Sequence, residues 1–135
     1  MKSEQLSKGL PLWQDRLGRS LMILASVGAI GAFSYGIKQV KIATPDTIWV
    51  ETWRMLAFLV FAGMFALLAF RPRLSAGVWE LVLFHKLAMV VSAIFMLNVK
   101  EASIAAPVDT ALVLLIIISY TLTRGWRSWY QHEVF

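Results

Sequence analysis

Trp79-Glu80-Leu81-Val82-Leu83-Phe84-His85-Lys86 opens an apolar run that continues to about Leu97. At ~1.5 Å of rise per residue, a helix of roughly 20 residues crosses the hydrocarbon core of a bilayer. Lys86 falls near the middle of that run, where an ammonium without a counter-charge costs at least ~2.5–3.5 kcal/mol. The run therefore reads as a membrane span. Lys86 reads as a residue that needs a carboxylate, a wet cavity or a chemical task.

Working outward, three more apolar runs accompany this one, giving expected helices at about 20–37, 52–70, 74–97 and 107–121. The first contains Gly28, Ala32 and Gly36, a small-residue spacing that lets helix backbones approach closely in lipid. A cleaved signal peptide is the rival reading of this run, but the run starts late and is long for one. Pro45-Asp46 marks the first turn, and Arg71-Pro72-Arg73 ends the second run because proline cannot continue the hydrogen-bond ladder. Asn98-Val99-Lys100-Glu101 closes the third run, and Pro107 suits the first turn of the fourth. The expected fold is an all-α integral membrane protein, an antiparallel bundle of four transmembrane helices in one domain covering 1–135.

Composition agrees with this reading. The 135 residues are 59% hydrophobic and 16% charged, too apolar for an ordinary soluble domain. Cysteine is absent, which excludes disulfides, thiolate metal sites and CxxC redox chemistry. The net charge of +5 does not point to nucleic acid, because the basic residues sit mostly at the ends of apolar runs. Lys2, Lys8, Arg16, Arg19, Arg71, Arg73, Arg124 and Arg127 fall on one side of the expected bundle. Lys38, Lys41, Arg54 and Lys100 fall on the other. This imbalance predicts a cytoplasmic (inner) membrane location with both termini cytoplasmic. Trp49 and Trp53 would form the outer aromatic belt, and Trp13, Trp126, Trp129 and Tyr130 the inner one.

At ~100° per residue, His85, Lys86, Met89, Ser92 and Met96 share one arc of the third helix. Glu51, Arg54, Met55, Phe58 and Ala62 share a face of the second, and Asp109, Val113, Ile116 and Tyr120 a face of the fourth. These mixed faces are expected to turn toward the bundle interior. Lys86 needs a carboxylate there, and Asp109 and Glu51 are the candidates, although helix rise leaves both ~10–15 Å shallower. Otherwise Lys86 would sit uncharged, hydrogen-bonded to Tyr120, Ser92 or a backbone carbonyl. Each residue also has a plainer role. Glu51 and Arg54 would make an i,i+3 ion pair at a helix end, Asp109 would complement a helix N-terminus, and Met89 and Met96 would fill space. Glu80 lies on another side of the third helix, within reach of Arg71, Arg73 or Arg124.

The chemistry left open is acid–base or electrostatic, with Lys86, His85, Asp109 and Glu51 as candidate catalytic groups. Arg54, Trp53, Met89, Ser92 and Tyr120 are candidate ligand-binding residues. No metal site is expected, since His85 and His132 are the only histidines and no helix pairs histidine with carboxylate at metal spacing. No dinucleotide fingerprint, phosphate loop or nucleophile elbow is present, so no cofactor is implied.

Length, the four runs, and Arg19, Gly31 and Gly36-Ile37-Lys38 across the first helix resemble the small DoxX-like membrane proteins. In that family the first helix typically starts with arginine and ends with glycine and lysine. The glycine-rich entry to the second helix common there is replaced here by Trp49-Val50-Glu51-Thr52-Trp53-Arg54. The resemblance implies a membrane partner or subunit role, sometimes tied to quinone-linked oxidation, and transfers no catalytic residue. From the residues themselves the leading expectation is an accessory subunit or a binder of a lipophilic small molecule. One alternative is a membrane-embedded isomerase or cyclase. Another is a cation- or proton-coupled transporter working as a homo-oligomer.

Overall fold

The computed structural model describes residues 8–134, and among them the chain is helical with no strand. Four long helices follow one another: α1 (Leu12–Ile42), α2 (Ile48–Phe70), α3 (Val78–Phe95) and α4 (Lys100–Thr123), then a 3-10 segment, Gly125–Val134. All four are long and apolar enough to cross a membrane. The expected all-α bundle of four spans is what the chain forms.

The helix limits depart from hydropathy where polar residues carry the helix past the apolar run. Helix α1 starts at Leu12 rather than near Ser20, and Asp15 and Arg19, one turn apart and 2.8 Å from each other, support that extra length. It stops at Ala43, which is extended, just before Thr44-Pro45. Helix α2 ends at Phe70 as the Arg71-Pro72-Arg73 signal requires. Helix α3 starts at Val78, not Leu74, because Gly77 adopts φ 83°, a left-handed conformation that suits glycine and breaks the helix. The larger correction is in α4. It begins at Lys100, which puts Pro107 inside the helix rather than in its first turn. Lys100-Glu101-Ala102-Ser103-Ile104-Ala105-Ala106 are all compatible with helix, so nothing delays the start until the proline.

Helix α1 lies along both α2 and α4, α3 lies along α4, and α2 and α3 approach each other least among these neighbours. Close approach at α1 uses glycine at two levels. A Cβ on Gly18 would stand 2.6 Å from Thr123 of α4, and one on Gly36 would stand 3.0 Å from Met55 of α2. Gly28, by contrast, has open space where a Cβ would go, so the Gly28–Ala32–Gly36 ridge meets α2 at Gly36 and meets no helix at Gly28. Ser26 donates to the Ala62 carbonyl at 2.8 Å, and Ser119 donates to the Gly18 carbonyl at 2.9 Å. Such interhelical bonds and tight contacts hold helices together in lipid, where apolar burial gives no advantage over the surrounding chains.

One end of the bundle, the basic end, carries Arg19 and Arg73. Asp15 accepts from both, Arg19 also donates to the Ala69 and Phe70 carbonyls, and Arg73 donates to the Thr123 carbonyl at 3.0 Å. Two guanidiniums thus satisfy the free carbonyls that close α2 and α4 and complement the negative ends of those helix dipoles. Above this cluster lies the tightest part of the core: Met22, Phe65, Leu68, Trp79, Val82 and Ile116, each at most 1% exposed.

Candidate functional site

Lys86 and Asp109 meet inside the bundle. The Lys86 ammonium donates to Asp109 Oδ1 at 2.9 Å, and the two side chains are 10% and 9% exposed. The gap expected between them is absent because of where α4 begins. A helix starting at Pro107 would leave Asp109 at its end, whereas one starting at Lys100 carries Asp109 two and a half turns inward. Asp109 is therefore an interior counter-charge, not a terminal residue complementing a helix dipole.

The ammonium also lies 4.5 Å from the centroid of the Phe61 ring, a cation–π contact from α2. The same ring stacks obliquely on the imidazole of His85, with centroids 4.7 Å apart. Phe61 therefore fills the seam between α2 and α3, the two neighbours whose backbones approach least. His85 Nδ1 is buried and has no hydrogen-bond partner among the described residues. A ring nitrogen in that state is short of one hydrogen bond, which is costly away from water.

Two other expected residues assemble elsewhere. Arg54 binds both carboxylate oxygens of Glu51, at 3.1 and 3.3 Å, and reaches Glu101 at 3.1 Å. This cluster joins the starts of α2 and α4 at the end opposite the basic one, so Glu51 serves Arg54 rather than Lys86. Tyr120 does not reach Lys86 either. Its hydroxyl donates to Glu80 Oε1 at 3.2 Å, and Trp129 Nε1 donates to the same oxygen at 2.9 Å. Glu80, expected to reach an arginine, is instead held by these two neutral donors. Met89 and Ser92 are exposed, as is Trp53 at 66%. The expected arc of the third helix thus divides, with Lys86 inside, His85 half-buried and Met89, Ser92 and Met96 outside.

Phe61 and Glu101 were missed from sequence. The spacing Arg54-Phe58-Phe61-Phe65 along α2 follows one helical face and could have picked out Phe61. Glu101 escapes a sequence reading because hydropathy starts the fourth helix at Pro107 and leaves Lys100-Glu101 in the loop.

The levels of the bundle differ in packing. Between the Lys86–Asp109 pair and the basic end, the interior is closed by Val82, Ile116, Phe65 and Leu68. Toward the opposite end, among the described residues of the helices, only Gly36 and Ala93 are buried. Met55, Phe58, Val90, Ala102 and Ala105 there are half-buried. The ion pair and His85 thus form a polar floor under the looser half of the bundle. Among the described residues no three histidine, aspartate or glutamate side chains converge as a metal site would need. No family model, curated protein or solved structure matches this chain.

Proposed function

We propose that this small membrane protein binds a lipophilic molecule in the looser half of the bundle, between α2 and α3, with the polar end of that molecule on the His85–Lys86–Asp109 floor. The carrying observation is His85 Nδ1, a buried ring nitrogen with no partner among the described residues, placed where tight packing stops. Phe61 and the half-buried Phe58 and Val90 supply apolar wall, and a few polar groups at the floor supply orientation, the usual make-up of a small-molecule site. A partner membrane helix in the same seam is the accessory-subunit form of this reading, and it accords with the role that the DoxX-like resemblance implies.

The isomerase or cyclase alternative has less support, because Asp109 is taken up by Lys86 and Glu51 by Arg54, which leaves His85 as the one acid–base candidate outside an ion pair. A transporter needs a polar path through the bundle, and the layer of Val82, Ile116, Phe65 and Leu68 interposes apolar side chains. The basic end belongs on the cytoplasmic side of an inner membrane by the distribution of lysine and arginine.

Photolabelling tests the binding reading. The protein in nanodiscs is irradiated with a diazirine-bearing long-chain alcohol and the labelled peptides are mapped. Label concentrated at 55–61 and 85–90 and removed by excess unlabelled alcohol is the expected result. Label spread evenly over lipid-facing positions such as Leu24 and Tyr35, with no competition, would refute it.

A further inference from the structure

The floor of the site carries an ammonium and a carboxylate bonded to each other. We infer that the molecule taken up is an uncharged amphiphile whose head both donates and accepts hydrogen bonds, such as a long-chain alcohol or amide, and that charged amphiphiles are rejected. The inference rests on the binding reading above and adds the ligand's chemical class.

Three observations carry it. Lys86 and Asp109 neutralise each other at 2.9 Å, so a ligand charge brought beside them would find no net counter-charge. At the middle of a span such an uncompensated charge is strongly disfavoured. A polar but neutral head, however, has partners. The ammonium has three N–H groups, one of which Asp109 takes, and His85 Nδ1 has no hydrogen-bond partner among the described residues. An ionic head could bind only by displacing one member of the pair, which would leave the other member buried and unpaired. The remaining charged groups of that half do not alter the balance at the floor. Arg54, Glu51 and Glu101 are tied to one another at the starts of α2 and α4, and Lys38, Lys41, Asp46 and Lys100 are exposed toward that same outer end.

Competition against the photolabelling alcohol decides the matter, with three probes of equal chain length: hexadecanol, hexadecanesulfonate and hexadecyltrimethylammonium. Each probe is dosed to the same concentration within the nanodisc, and labelling of Leu24 and Tyr35 on lipid-facing α1 serves as the internal reference. In the native protein, hexadecanol should protect 55–61 and 85–90 at least ~10-fold better than either ion, beyond any difference seen at the α1 reference. In Asp109→Asn the unpaired Lys86 should accept the anion, raising protection by hexadecanesulfonate at least ~10-fold and leaving the quaternary ammonium excluded.

Equal protection by all three probes in the native protein would overturn the inference while leaving the binding reading intact. An unchanged ranking in a folded Asp109→Asn protein would also overturn it, because the selectivity would then come from membrane depth alone. Should Asp109→Asn fail to fold, the native comparison against the α1 reference still decides. Absence of protection by every probe would refute the binding reading itself, and the inference with it.

Discussion

The Lys86 ammonium stands 4.5 Å from the centre of the Phe61 ring while bonded to Asp109 at 2.9 Å, so a single side chain of α3 engages both α2 and α4. In lipid the hydrophobic effect does little to join helices, and a contact shared by three of them carries unusual weight. Phe61→Leu keeps the apolar volume roughly but removes the ring from both Lys86 and His85. The expected loss is ~1–2 kcal/mol, from a desolvated cation–π contact, seen as a lower melting temperature in lipid. Phe58→Leu, one turn away and without either contact, should cost less. Equal losses would mean that the ring acts only by bulk.

At α1 the prediction separates two glycines. Gly18→Leu drives a side chain into Thr123 and Leu122 of α4 and should destabilise by ~1–3 kcal/mol, or prevent folding. Gly28→Leu meets open space and should be neutral or slightly stabilising, since glycine costs helix propensity. Melting curves of the two variants in the same detergent make the comparison. Equal sensitivity would show that Gly28 faces a helix.

The basic end offers a second electrostatic test. Asp15→Asn withdraws the carboxylate that Arg19 and Arg73 share and should cost ~1–3 kcal/mol, because Arg73 is only 5% exposed. Lys8→Gln, at an exposed position, should be silent. Chemical denaturation in mixed micelles would read both. A silent Asp15→Asn would mean that Arg73 is satisfied by carbonyls alone.

Sidedness is tested directly, because the chain contains no cysteine. A cysteine at Glu133 should react with an impermeant maleimide from the cytoplasmic side only, and one at Thr44 from the other side only. Both reacting from one side would break the four-span topology, since the Thr44 turn and the end of α4 lie at opposite ends of the bundle.

Much of this structure could be read from residue pattern. Four apolar runs stand out because lipid demands them, and the end of α2 at Phe70 follows from Pro72. The Glu51–Arg54 pair follows from i,i+3 spacing on a helix. Hydropathy fails where helix continues through polar or alanine-rich residues, as at Gln14-Asp15-Arg16 and Lys100-Glu101-Ala102. Starting the fourth helix at Pro107 instead of Lys100 places Asp109 at the membrane surface as a terminal charge. Phe61 was missed for a different reason. Phe61 shares one helical face with Arg54, Phe58 and Phe65, but that pattern does not say which phenylalanine of the face stands beside the ammonium.

The central claim is that Lys86 and Asp109 form one neutral unit in the interior, and a double-mutant cycle tests it most directly. Melting temperatures in lipid nanodiscs would be measured for the native protein, Lys86→Met, Asp109→Asn and the combined variant. Each single change leaves a buried polar or charged group uncompensated and should cost ~3–5 kcal/mol, whereas the double variant should recover most of that loss. Losses that simply add in the double variant, or a Lys86→Met protein as stable as the native one, would contradict the claim.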